Sequence, residues 1–151
     1  GYSAQEVDAV LALKPARLGD VTRRLEAVRA FADQRVRALE ERCSAEIDRA
    51  GDDPAARTAA LVDALRSEGY AASARTVGDD VVVGLQLCQG HCPVQHVAAE
   101  FPELCEAETD AFSRLLGVHV QRLATLAQGD HVCTTFVPTA GARPHTERST
   151  R

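Results

Sequence analysis

Apolar positions Val21, Leu25, Val28, Ala32, Val36, Leu39, Cys43 and Ile47 step along the chain by three or four residues. That spacing is one stripe of an amphipathic helix, and it predicts a long helix from Asp20 to Ala50 whose other faces carry Arg23, Arg24, Arg35, Arg37, Glu40 and Glu41. Cys43 falls on the stripe and is expected to be a small buried hydrophobe. Upstream, Val7, Val10, Leu11 and Leu13 mark a shorter helix over 2–13, ended at Lys14-Pro15. Gly51-Asp52-Asp53-Pro54 is a turn in which Asp53 caps a third helix and Pro54 takes its first position. That helix carries Leu61, Val62 and Leu65 and stops at Gly69.

The period then changes from helical to alternating. β-branched residues crowd 71–77 and 81–87 around Gly78-Asp79-Asp80, which predicts a hairpin. Two short helices over 93–101 and 102–116 follow. A second hairpin is expected from 118–127 and 132–137 about Gly129-Asp130. The stretch 139–151 has no periodicity and is expected to be a disordered tail. The fold class is therefore α+β: a helical region over 1–70 forming a dimerisation arm, then a small domain over 71–138 of hairpin, helix pair and hairpin with an antiparallel sheet.

Composition narrows the function. A length of 151 residues with 45% hydrophobic content supports one ordinary core. A net charge of −5 argues against these residues gripping nucleic acid, which is held mainly by clustered Lys and Arg. No run of about eighteen apolar residues and no secretory pattern is present, so a cytoplasmic location and no membrane partner are expected. No Ser-His-Asp order, phosphate-binding glycine loop or matched carboxylate pair emerges, and neither an enzyme nor a small-molecule substrate is expected. Glu103, Glu106 and Glu108 are accounted for as the acidic start of a helix.

Candidate chemistry lies in the cysteines. Cys88, Cys92, Cys105 and Cys133 follow a C-x3-C-x12-C-x27-C spacing. In a reducing compartment such a set is metal-binding or redox-active before it is disulfide-bonded. Thiolates select zinc, copper(I) or an iron–sulfur cluster. Cys92 precedes Pro93 and is placed at a helix N-cap, while Cys105 falls in the first turn after Pro102, so both thiols are expected to be acidified by helix N-termini. The spacing leaves zinc and an iron–sulfur cluster about equally open, with unrelated buried cysteines the lesser alternative: structural zinc sites commonly use two short pairs where this chain has one, and iron–sulfur sites tolerate widely spread ligands. His91 and His96 stand close enough in sequence to replace a thiolate, though a solvent-facing role is the simpler account.

The segments Leu87-Cys88-Gln89-Gly90-His91-Cys92-Pro93-Val94, Val97 to Glu108 and Gly129-Asp130-His131-Val132-Cys133 resemble the C-terminal half of SufR-type regulators, especially the actinobacterial branch. The resemblance extends upstream through Ala27 to Val36 and Ser67 to Tyr70. It implies a homodimeric repressor of the SUF operon in which Cys88, Cys92, Cys105 and Cys133 hold a [4Fe-4S] or [2Fe-2S] cluster whose loss relieves repression. The family's winged helix-turn-helix domain does not precede Gly1, so operator DNA binding is implied for that missing domain and not for these residues. A zinc-stapled interaction module and a cluster-based electron carrier are the competing functions.

Overall fold

The computed structural model describes residues 4–12, 18–79 and 82–139. Helix α1 spans Ala4–Ala12, α2 Leu18–Arg49 and α3 Pro54–Ser67. At 1.5 Å per residue α2 is about 48 Å long, enough to serve two separate packing regions. Asp53 caps α3 as expected, its side chain accepting from the backbone N–H of Ala56 at 3.1 Å, with Pro54 opening the helix. The helix stops where Gly69 takes a φ of +85°, a conformation that costs glycine little.

Strands β1, Ala72–Gly78, and β2, Val83–Gln89, form the first hairpin, each one or two residues beyond its sequence-based bounds. Asp80 and Val81, in the turn, lie outside the described residues. Helices α4, Gln95–Glu100, and α5, Glu103–Leu116, follow, and then β3, Gln121–Ala124, and β4, Cys133–Pro138. The two hairpins join through β2 and β4 into one antiparallel sheet of order β1-β2-β4-β3. The mixed architecture is thus α+β, with long helices followed by a four-stranded antiparallel sheet. Residues 140–151, the expected tail, lie outside the described residues.

Two apolar clusters hold these elements together, and α2 contributes to both. Its C-terminal half places Leu39, Cys43 and Ile47 against Leu61 and Leu65 of α3, Leu87 and Val137 of the sheet, and Phe112 and Leu116 of α5. Its N-terminal half places Val28, Phe31 and Ala32 against Val7 of α1, Val97 and Ala98 of α4, and Leu104 of α5. From Val28 onward the stripe expected to meet a second copy is therefore spent on the chain's own core, with Val28 only 1% exposed, while Val21 at its start is 38% exposed. The physical reason is that two short helices and one face of a small sheet have too little apolar surface to bury each other, and α2 supplies the missing cover. Cys43 behaves as the buried hydrophobe expected of it, its Sγ 2.9 Å from the carbonyl oxygen of Leu39 one turn earlier.

Candidate thiol site

Register decides which cysteines share a surface. In the β2–β4 ladder Gln89 stands opposite Cys133 and Leu87 opposite Thr135, so these four point to the helix-covered face. Cys88 stands opposite Thr134 and belongs to the other face, one residue out of phase. It lies inside β2, which ends at Gln89. Of the four candidate ligands the structure thus gathers Cys92, Cys105 and Cys133, and separates Cys88 from them.

Local structure fixes each of the three. Cys133 opens β4, and its buried Sγ accepts the backbone N–H of Leu126 at 3.2 Å. Cys105 lies in the first turn of α5, where its carbonyl accepts the Thr109 hydroxyl at 2.8 Å. Cys92 was expected at a helix N-cap, but α4 begins at Gln95 with Val94 as its cap, and Cys92 to Val94 form a turn leading into it. Pro93 therefore starts that turn and not the helix.

The expected acidification of the thiols is reversed. Burial pushes the Cys105 thiol up to about 11, with Glu108, Cys92 and Cys133 raising it further against the opposing Arg122 charge. Burial also raises Cys92, with Glu108 and Cys133 adding to it, while a backbone hydrogen bond from Val94 and the Arg35 charge oppose the shift. Desolvation of the anion outweighs the partial charge of one helix turn.

Beside the thiols runs a buried polar network that sequence reasoning missed. Arg122 of β3 donates to Thr109 Oγ1 at 3.1 Å, to Gln89 Oε1 at 3.0 Å and to Glu108 Oε2 at 2.8 Å. Gln89, 1% exposed, also donates to Glu108 at 3.5 Å. On the other side Arg35 of α2 donates to the hydroxyl of Tyr70, which is 5% exposed. Burial first, and then the Glu108 charge, raise that hydroxyl well above the usual tyrosine range. Glu108 is in the second turn of α5 and faces inward, which corrects its assignment to the solvated start of the helix. Nothing local marks these residues; their partners come from four elements and the α3–β1 connection, distant in sequence.

Two cavities border this network. One, about 370 Å³, lies between α2, Tyr70, the Cys92 turn and α5. The other, about 330 Å³, lies between α5 and β3 and is lined by Thr109, Arg122 and Gln128. Cys105 borders both. His96 is turned away and pairs with Asp8 at 2.9 Å on the exposed side of α4, so it takes no part in the thiol site. His91 is also exposed, its backbone N–H bonded to the carbonyl of Tyr70.

Three thiols between two guanidiniums are a donor set suited in chemistry to a thiophilic metal. As arranged, no three Cys, His, Asp or Glu side chains among the described residues stand close enough together to hold a metal ion.

Comparison with known proteins then bears on the resemblance. The curated relatives are glycine–tRNA ligase beta subunits. The chain is 88% identical over 32 residues to the subunit of Leptothrix cholodnii, matching 21% of this chain and 4% of the relative. It is 81% identical over 32 residues to that of Methylobacillus flagellatus, again 21% of this chain and 4% of the relative. A longer match to the subunit of Acidovorax ebreus is 44% identical over 82 residues, 51% of this chain and 11% of the relative. The chain thus spans between 4% and 11% of the length of these relatives. No family model matches, and no solved structure matches.

These matches overturn the SufR-type assignment and what it implied: an iron–sulfur-sensing repressor of the SUF operon, the absence of enzymatic function, and partnership limited to a homodimer and operator DNA. The structure removes the physical basis of the dimer arm as well, since the α2 stripe is covered internally. Cysteine spacing says nothing about strand phase, which places Cys88 and Cys133 on opposite faces of the sheet. Among the described residues no helix is long and apolar enough to cross a membrane.

Proposed function

We propose that this chain functions as an accessory portion of a glycine–tRNA ligase beta-subunit-type protein, working with a partner subunit and tRNA. The observation that carries this reading is the match of 44% identity over 82 residues, half of the chain, to the Acidovorax ebreus subunit. The formal charge of −5 assigns the main contacts with tRNA to other parts of such a protein. The test is a chimera in which the matched segment of that beta subunit is replaced by its counterpart from this chain, assayed with the partner subunit for glycylation of tRNA. Retained glycylation supports the reading. Loss of activity in a folded chimera that still assembles overturns it.

A second reading concerns the thiols. On this reading Cys92, Cys105 and Cys133 close on a thiophilic metal only when their side chains move from the arrangement described, and Cys88 is not a ligand. Its support is that the three stand within electrostatic reach of one another, with the Arg35 and Arg122 charges opposing the burial that raises Cys92 and Cys105. The original four-cysteine set, with an iron–sulfur cluster or zinc, differs from it in one measurable respect. Anaerobic purification with iron, inorganic sulfide and zinc analysis should show metal that falls in Cys92→Ser, Cys105→Ser and Cys133→Ser and persists in Cys88→Ser. Equal loss in all four variants would restore Cys88 as a ligand, and metal-free wild-type protein after anaerobic loading would end the reading.

A further inference from the structure

The cavity beside α2 has walls of unlike character. Phe31, Leu39, Val94 and Leu104 give it apolar walls, and Arg35, Arg42, Glu68 and Glu108 are its charged lining. Two of its carboxylates are already engaged: Glu68 by Arg42 at 2.7 Å, and Glu108 by Arg122 at 2.8 Å. Arg35 differs. Its one side-chain hydrogen bond among the described residues is to the neutral hydroxyl of Tyr70, and its guanidinium lies 5.7 Å from the centre of the Phe31 ring. Glu108 reaches Arg35 only through the Tyr70 hydroxyl, to which both are hydrogen-bonded, so among the described residues the half-buried guanidinium makes no direct ion pair and stands at the edge of an apolar chamber.

We propose that this cavity binds a small amphipathic monocarboxylate, its head group on Arg35 beside Tyr70 and its apolar tail along Phe31, Val94 and Leu104. Single charge is favoured over double because Glu68 and Glu108 border the same space and repel a dianion. Carboxylate is favoured over halide or another spherical anion because the planar guanidinium fork matches two coplanar oxygens. The volume of about 370 Å³ is that of a small-ligand site. It accommodates a tail of about six carbons. The proposal does not depend on the ligase reading or on metal binding.

Hexanoate is the probe, titrated into the full chain by calorimetry and by backbone and aromatic NMR, with hexanol, hexylammonium and inorganic phosphate in parallel. Saturable binding with a Kd of about 1 mM or tighter is expected for hexanoate, with shifts concentrated at Phe31, Arg35, Tyr70 and Leu104. Arg35→Gln should weaken it about tenfold, the loss of one charge-assisted contact, and Arg35→Lys should recover part of that. Arg75→Gln, on the other face of the sheet, should leave it unchanged. Hexanol or phosphate binding as tightly as hexanoate overturns the proposal, as does undiminished binding by folded Arg35→Gln. Shifts confined to other surfaces of the wild-type chain overturn it without recourse to any variant, and so does the absence of saturation below about 10 mM.

Discussion

Cys105 sits in the first turn of α5, where a helix N-terminus favours an anion, yet burial pushes its thiol up to about 11. The folded protein therefore holds a proton that the unfolded chain releases above the ordinary thiol value of 9.0. This contribution to stability is fully present below that value and is lost as pH rises toward the folded one. Urea midpoints measured from pH 8 to 11 should fall more steeply in the wild type than in Cys105→Ala. Equal slopes would mean that the thiol ionises as freely in the folded protein as in the unfolded one. The same burial should make Cys92 and Cys105 slow to react with thiol reagents at neutral pH, since the thiolate is the nucleophile.

At the scale of elements, the sheet depends on a close fit between β2 and β4. Gly84 of β2 lies under the Phe136 ring of β4, and a Cβ there would come within 2.5 Å of two ring atoms and 2.6 Å of the Val137 carbonyl oxygen. Since the backbone oxygen cannot swing away as a side chain could, Gly84→Ala should destabilise by about 1–3 kcal/mol. Loss of the helix cap in Asp53→Ala should cost about 1 kcal/mol. Chemical denaturation of the two variants checks both magnitudes, and a Gly84→Ala midpoint equal to that of the wild type would show that β4 can shift away from β2. At the next join, Arg57 of α3 donates to the carbonyl of Leu115 at 2.7 and 2.9 Å and to that of Gly51 at 2.8 Å, satisfying chain ends that no helix of its own could reach.

For the molecule as a whole, α2 and α5 together join the two apolar clusters. Val28→Glu places a charge in the cluster farther from the sheet, and should unfold α1 and α4 or the whole chain at a cost of more than about 3 kcal/mol. An exposed dimer stripe would instead give a folded monomer, so circular dichroism and light scattering on this variant separate the two accounts. Because α2 and α5 each contribute to both clusters, near-ultraviolet and far-ultraviolet transitions of the wild type should coincide. Two separate transitions would show that the clusters melt independently despite the shared helix.

Periodicity placed the long helices and the first hairpin among the described residues, because a step of three or four or an alternation of two reports a face that must be buried, but it ran the third strand over 118–127, where β3 is Gln121–Ala124 and Leu126–Gln128 is a 3-10 turn. Asp53-Pro54 and Gly69 likewise act through local backbone chemistry and could be recognised at once. What covers the α2 stripe was decided by tertiary structure, since apolar spacing is the same whether the partner is a second copy or the chain's own sheet. The cysteines follow the same division. Their softness toward metals belongs to the residue type, but strand phase puts Cys88 on one face and Cys133 on the other, and desolvation sets the direction of the Cys92 and Cys105 shifts. Arg35, Tyr70, Gln89, Glu108 and Arg122 acquire their roles only from one another, across separations along the chain that no local pattern records.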